Sequence, residues 1–431
     1  MPRRLEALHR LRTTPLGHTI LSLYGLQAAN YILPLVSFPY LTRTLGPDGF
    51  GLYVFVLVVA RYLILVTDYG FTFSAARDVA VARQQSGDVA GIYGATLGAR
   101  LCLLGVCAGV IAILTVFAPR FSHDAELFWI AFVGVAGSTL FPVWLYQGYE
   151  RLPVATGCNI AFRAVGTALI FVFVHGRGDL DVLVWLWSLP WLATGIVTVA
   201  IAHSVLGVHL RLPSPAAIAR AFRSGLAVFV AIISSSLYIT TNTLFLGLLR
   251  NNTQVGYYGA AESVIVAVKG LIDPVSQALF PRASQIGAQG RDHALGYGRW
   301  AIRWIGGLGL VLSIATLVLS PFLPDITGAG FEPSVKPLQI MSVLPFATSV
   351  IIVLGVHVML PLRMDRTYSL VVAGGGFLNV VLTFALVPGL GATGTAIAVA
   401  ITESAIALAL YLVLRHRGLD VLRAAPAPGP A

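Results

Sequence analysis

The chain has 431 residues, of which 57% are hydrophobic and only 11% are charged, and its mean hydropathy is +0.83. A soluble domain carries about 25% charged residues, so this composition excludes a soluble protein and indicates a polytopic membrane protein. The net charge of +10 is typical of basic cytoplasmic loops in such a protein, and no nucleic-acid-binding motif is present.

Apolar windows of about 20 residues predict transmembrane helices, and the sequence contains twelve of them. Helices are expected throughout, because an open sheet would leave backbone groups unpaired in lipid. The connections are short, so no extramembrane domain is predicted. The windows lie near residues 19–40, 50–71, 92–117, 127–146, 154–174, 182–203, 225–248, 255–279, 303–323, 337–360, 368–387 and 392–414.

Basic residues orient these helices. When the N-terminus is placed inside, most of the loop arginines fall on the inside and few fall on the outside. Positive charge is retained on the cytoplasmic side of membranes, so both termini are predicted to be cytoplasmic.

An internal repeat is indicated by a shift of 205 residues. Several matches at one offset predict two six-helix lobes, residues 1–208 and 209–431, related by a parallel pseudo-two-fold axis around a central cavity. The shift places Phe50-Gly51-Leu52-Tyr53 on Val255-Gly256-Tyr257-Tyr258, Asp68 on Asp273, and Arg77 on Arg282.

Ionisable residues recur on one face of equivalent helices in the two halves. Residues seven apart share a helix face, which groups Arg61 with Asp68 in the second helix. The same spacing groups Glu262, Lys269 and Asp273 in the eighth helix. We expect both faces to line the central cavity.

Four cations are predicted to lie within the membrane: Arg61, Arg100, Arg163 and Lys269. A charge at that depth costs roughly 2.5–3.5 kcal/mol, so each needs a partner or a wet cavity. One interpretation pairs Arg61 and Lys269 with the deep acids Glu262 and Glu403. The favoured interpretation is that the four cations bind an anionic substrate such as a diphosphate, since they outnumber those acids.

Acidic residues at two depths have separate predicted roles. Burial favours the protonated form of a carboxyl group, which makes Glu262 and Glu403 candidates for coupling to protons. Helix-end capping or loop salt bridges would explain the shallower aspartates, and the alternative is a cytoplasmic gate whose ion pairs form only in the outward-open state. The gate candidates are Asp68 with Arg77, and Asp273 with Arg282.

Motifs for enzymatic chemistry are not found. The glycine-rich segment 389–394 fits a dinucleotide-binding fingerprint but lies in a turn between helices, without a βαβ unit. The histidines are scattered, which predicts no metal site, and no nucleophile–base grouping can be assembled. We therefore predict a protein that is not an enzyme and has no bound cofactor.

Two stretches of the sequence match a known family. The first runs from Asn30 to Arg77 and includes Asp68-Tyr69-Gly70-Phe71, and the second runs from Val255 to Glu262 and is followed by Pro281-Arg282. These stretches resemble polysaccharide-biosynthesis (O-antigen, Wzx-type) flippases of the multidrug/oligosaccharidyl-lipid/polysaccharide exporter superfamily. The resemblance implies export of an undecaprenyl-diphosphate-linked oligosaccharide across the bacterial inner membrane by alternating access. A proton or sodium gradient is the implied driving force.

The expected partners are the polyprenyl-diphosphate-linked glycan, membrane lipids and glycan polymerase or assembly proteins. A drug or cation antiporter of the same superfamily is the nearest alternative, but it would need an acidic cavity. A membrane glycosyltransferase would need a large outside loop with catalytic carboxylates, which the sequence lacks. A scaffold of a glycan assembly complex that does not transport is a further alternative.

Overall fold

The computed structural model describes residues 15–421, and of residues 15–31 and 231–240 it describes the backbone alone. Within these residues the chain forms helices and turns and no strand. The basic residues Arg3, Arg4, Arg10, Arg12 and Arg423, which contribute to the predicted orientation, lie outside the described residues.

The chain divides into two compact units. Unit 1 comprises residues 1–45 and 53–233, and unit 2 comprises residues 46–52 and 234–431. The short segment 46–52 therefore comes from the N-terminal half of the sequence but packs in unit 2. The predicted boundary at residue 208 stays a prediction, as does the central cavity.

The helices of the N-terminal half follow the predicted windows closely. The longest begins in the basic N-terminal region and contains the first two windows. The helices are α1 (Pro15–Asp68), α2 (Phe71–Gln84), α3 (Val89–Phe117), α4 (Pro119–Ser122), α5 (Ala125–Leu140), α6 (Val143–Gly148), α7 (Leu152–Phe173) and α8 (Leu180–Ser204).

The helices of the C-terminal half include two π-helical segments, Ile302–Gly306 and Ile352–Met359, which continue the α-helices before them. The α-helices are α9 (Pro215–Leu249), α10 (Asn252–Lys269), α11 (Asp273–Gly287), α12 (Arg291–Ala301), α13 (Gly307–Leu319), α14 (Leu323–Thr327), α15 (Val335–Met341), α16 (Leu344–Ile351) and α17 (Asp365–His416).

Two of these helices are more than twice the length that a bilayer requires. Helix α1 has 54 residues and α17 has 52, whereas about 20 suffice to cross the hydrocarbon core. Each is interrupted by a glycine in the left-handed region, Gly46 at φ 65° and Gly391 at φ 55°, a conformation that other residues adopt at a steric cost. Each interruption falls between two predicted windows.

The number of membrane spans stays a prediction. Among the described residues, eight helices are long and apolar enough to cross a membrane, and a ninth arises if the bent pair α10 and α11 forms one span. Helices α1 and α17 are each counted as a single span here, although two predicted windows fall on each of them.

Tight packing of α5 against α8 in unit 1 depends on small residues. A Cβ atom at Gly137 would lie 2.3 Å from the Leu192 amide nitrogen, and one at Gly195 would lie 2.4 Å from the Gly137 carbonyl oxygen. Small residues let membrane helices approach closely, so that dispersion contacts replace the hydrophobic effect.

We predict that Gly137→Val lowers the melting temperature of the purified protein, because the side chain would meet backbone atoms that cannot move aside. Overpacking of this kind costs about 1–3 kcal/mol. Gly105→Val is the matched control, since a Cβ atom at Gly105 has no neighbour within 4 Å. Equal melting temperatures for the two variants would show that the close α5–α8 contact does not contribute to thermal stability.

Candidate functional site

A cationic cluster in unit 1 is formed by Arg61 on α1 and Arg163 on α7. The Arg61 side chain is exposed and that of Arg163 is partly exposed. Their charges act on each other, and both act on the hydroxyl of Tyr53, which lies on α1. Two predicted substrate ligands from separate helices therefore lie close together.

Arg61 has no anionic partner among the residues whose side chains are described. No hydrogen bond or ion pair joins its guanidinium to another residue in the described part of the chain. Two like charges at one place repel, and the repulsion is strongest where the surroundings are poorly solvated. An anion bound between Arg61 and Arg163 would relieve it, which makes the cluster a candidate anion site.

Arg100 is placed differently from the other predicted ligands. Its side chain is 4% exposed. Its two Nη atoms donate to the carbonyl oxygens of Phe141, at 2.9 Å, and Ser138, at 3.0 Å. Pro142 has no N–H to bond the Ser138 carbonyl, as the next turn of α5 would require, so Arg100 adds a donor there beside the Phe141 amide, which lies at 3.2 Å.

Arg100 also lies beside the carboxylate of Asp68. The nearest Arg100 nitrogen lies 4.0 Å from the Asp68 carboxylate, which in addition accepts a hydrogen bond from the Thr72 hydroxyl at 2.7 Å. Arg77, the predicted gate partner of Asp68, instead forms an ion pair with Asp78 at 3.2 Å and donates to Ser224. In this structure the charged partner of Asp68 is therefore Arg100.

The second charged cluster lies in unit 2 and centres on Glu403 of α17. Lys269 donates to one carboxylate oxygen at 2.9 Å, and the Thr348 hydroxyl donates to the other at 2.6 Å. Glu403 is 7% exposed and Lys269 is 28% exposed. The structure thus shows the ion pair that was one of the two interpretations of Lys269.

Glu262 belongs to the same region of unit 2. It accepts hydrogen bonds from the hydroxyls of Thr243, at 3.0 Å, and Tyr258, at 3.4 Å. The buried Tyr258 also interacts electrostatically with Glu403. Tyr258 therefore interacts with both of the carboxyls that are predicted to take part in coupling.

The second predicted gate pair lies at the bend after Lys269. Asp273 is in the first turn of α11, where a negative charge is favoured by the helix dipole. Arg282, further along the same helix, is exposed and interacts with Tyr297. This placement fits the capping interpretation of Asp273, while a gating role for either residue stays a prediction.

Four residues of these clusters were not predicted from the sequence: Tyr53, Thr243, Tyr258 and Thr348. A signal for the two tyrosines was present, since Tyr53 and Tyr258 are 205 residues apart and so occupy equivalent positions in the repeat. The threonines carry no such signal, because the sequence does not show which helices lie beside Glu262 and Glu403.

The chain is similar to proteins of known class. A sequence profile described as "Polysaccharide biosynthesis protein" matches residues 16–287. A "Putative O-antigen transporter" of Escherichia coli (strain K12) is 29% identical over 383 residues, covering 89% of this chain and 92% of the relative. A protein of the same name from Shigella dysenteriae is 26% identical, covering 88% and 94%.

Two solved structures show the fold. The lipid II flippase MurJ in an inward closed conformation gives a TM-score of 0.67 at 12% identity, covering 92% of this chain and 87% of MurJ. An inward-facing MATE-family multidrug transporter of the MOP superfamily gives 0.65 at 14% identity, covering 94% and 96%. The predicted fold class, an all-α integral membrane protein with two lobes, is confirmed.

We predict an asymmetric response to loss of the Lys269–Glu403 pair. Lys269→Gln leaves a nearly buried carboxylate without its cation, and breaking a buried pair in this way costs about 3–5 kcal/mol. Glu403→Gln leaves an ammonium group that water can reach, so its melting temperature should fall less.

Thermal unfolding of the two single variants and of the double variant would measure the coupling free energy between Lys269 and Glu403. The double variant should be more stable than Lys269→Gln alone. The pairing would be contradicted if the two single variants lost equal stability and the double variant lost the sum of the two.

Proposed function

The chain belongs to the polysaccharide biosynthesis protein family, and we propose that it is a flippase, which exports a lipid-linked oligosaccharide across the bacterial inner membrane by alternating access. The observation that carries this proposal is the cationic cluster of Arg61 and Arg163. A transporter of organic cations would be expected to place acidic groups there, whereas an anionic lipid head group requires cations.

The substrate class that suits the cluster is a polyprenyl diphosphate, such as undecaprenyl diphosphate, carrying a short glycan. The planar guanidinium group forms bidentate hydrogen bonds with phosphate oxygens. Arg61 and Arg163 would bind the diphosphate, while the apolar chain stays in the lipid. Arg100 is not needed for this role, because its Nη atoms are already bonded to backbone carbonyls.

Coupling to an ion gradient is assigned to unit 2. Glu403 and Glu262 lie near the middle of predicted spans, and a carboxyl group in such surroundings can bind a proton and release it when its partners move. Lys269 contributes to substrate binding only while it is separated from Glu403. A sodium ion is the alternative coupling ion.

Location and partners follow from the same proposal. The chain would lie in the inner membrane with both termini in the cytoplasm. It would receive its substrate on the cytoplasmic side and pass it to glycan polymerase or assembly proteins on the other.

A drug or cation antiporter is the second candidate. The acidic residues Glu262 and Glu403 favour it, and MATE transporters share the fold. The cations of unit 1 argue against it, because an organic cation bound beside Arg61 and Arg163 would be repelled.

We predict that Arg61→Gln and Arg163→Gln each reduce export at least about tenfold. A hydrogen bond to a charged group contributes about 1.5–3 kcal/mol, and each 1.4 kcal/mol corresponds to a factor of ten. Surface glycan would be measured in cells that lack the native copy, with protein level followed by immunoblot.

Arg291→Gln is the matched control, since it removes an exposed arginine on α12, a helix of unit 2 that contributes nothing to the cluster. Arg61→Lys should give an intermediate effect, because it keeps the charge and loses the bidentate geometry. Wild-type glycan in both glutamine variants would overturn the assignment of the cluster to the substrate.

A further inference from the structure

A tight turn at the end of α8 brings two histidines together on the surface of unit 1. The amide of Val208 donates to the Ala202 carbonyl oxygen at 3.2 Å, and Gly207 adopts a φ of 66°, which lets the chain reverse its direction. Val208 and Ala202 are both buried in the core of unit 1. The residues that follow them, His209 and His203, are exposed. The buried pair therefore holds the two histidines side by side.

The backbone beyond His209 is held in place as well. A Cβ atom built on Gly94 of α3 would lie 2.1 Å from the Arg211 carbonyl oxygen, so residue 211 packs directly against α3. The Arg211 guanidinium also forms an ion pair with Asp88 at 3.5 Å. His209 thus lies between two anchored residues, Val208 and Arg211, and the fold sets the distance of its backbone from α8.

The two imidazole rings are in contact through their Nδ1 atoms. These atoms of His203 and His209 lie 3.2 Å apart, and the ring planes are inclined at 77° with their centroids 4.4 Å apart. The contact is a hydrogen bond only when one of the two Nδ1 atoms carries a proton. When neither does, two acceptor atoms repel each other, and a cation held by both would relieve the repulsion.

The distance between the Nδ1 atoms suits two ligands of one metal ion. Zinc binds imidazole nitrogens at about 2.0–2.1 Å, so two such nitrogens at the corners of a tetrahedron lie about 3.3 Å apart. Imidazole suits Zn²⁺, Ni²⁺ and Cu²⁺, whereas Mg²⁺ and Ca²⁺ prefer oxygen ligands. No group of three candidate ligands among His, Cys, Asp and Glu occurs in the described part of the chain. The remaining positions on the ion would therefore be open to water or to a ligand from another molecule.

We propose that His203 and His209 form a two-histidine site for a divalent transition-metal ion such as Zn²⁺. The ion ties the end of α8 to residues 205–214, which connect α8 to α9 on the side of the membrane that is predicted to be cytoplasmic. The site is additional to the proposed function, since neither histidine belongs to the cationic cluster of Arg61 and Arg163.

The spacing of the two histidines hides this site in the sequence. They are six residues apart, which does not place them on one helix face, so the scattered histidines predicted no metal site. The turn after α8 brings them together.

Metal titration of the purified protein, with any affinity tag removed, tests the site. Calorimetric titration with Zn²⁺ should show one ion per chain, and Mg²⁺ should not bind. Loss of an outer-shell partner already costs about 10–100-fold in metal affinity, so His203→Gln and His209→Gln should each weaken Zn²⁺ binding at least about tenfold. His175→Gln is the matched control, because it removes an exposed histidine of unit 1 that lies outside the turn. Equal affinity in the wild type and the two variants, or no binding to the wild type, would overturn the proposal.

Electron paramagnetic resonance of bound Cu²⁺ distinguishes a chelate from a single surface histidine. Hyperfine splitting should report two coordinated imidazole nitrogens in the wild type and one in each single variant. One nitrogen in the wild type would leave the contact as a hydrogen bond only and would overturn the site.

Melting temperatures provide the check on folding. Both variants keep the buried contact between Ala202 and Val208, so without metal they should melt at the same temperature as the wild type. Added Zn²⁺ should raise the melting temperature of the wild type and of His175→Gln alone, since a ligand that binds only the folded state stabilises it. An equal rise in His203→Gln and His209→Gln would contradict the site.

Discussion

The free-energy cost of placing a cation within the membrane is the constraint that connects fold and function in this protein. Every buried charge must have a partner, and the described residues supply partners very unequally. Arg100 is bonded to the backbone carbonyl groups of Ser138 and Phe141 at the end of α5, and Lys269 is paired with Glu403. Arg61 has neither kind of partner within the described chain, so its charge is available to a ligand.

Equivalent positions of the repeat have neighbours of opposite charge in the two units. Tyr53 and Tyr258 are equivalent positions, yet Tyr53 interacts with the arginines of unit 1 and Tyr258 interacts with the carboxyls of unit 2. Under the proposed function one framework would serve two tasks, with anion binding in unit 1 and ion coupling in unit 2. That division would make an acidic cluster in unit 2 compatible with an anionic substrate.

The sequence predicted the all-helical fold, because apolar length is a local property. It could not predict the partners. Lys269 and Glu403 are 134 residues apart, and their pairing depends on how α10 packs against α17. The role of Arg100 depends on carbonyl groups at a helix end 38 and 41 residues away. The repeat offset was visible in the sequence, but only the structure shows that Asp48 touches its own counterpart, Thr253.

A direct binding measurement tests whether Arg61 and Arg163 of unit 1 bind an anionic lipid head group. The wild type and the Arg61→Gln/Arg163→Gln double variant would each be purified. Each protein would be titrated with a polyprenyl diphosphate and, separately, with a lipophilic organic cation. The account predicts that the diphosphate binds the wild type and binds the variant at least about tenfold more weakly, since each lost charge-assisted hydrogen bond contributes about 1.5–3 kcal/mol. Tighter binding of the cation than of the diphosphate, or diphosphate binding that the double substitution leaves unchanged, would contradict it.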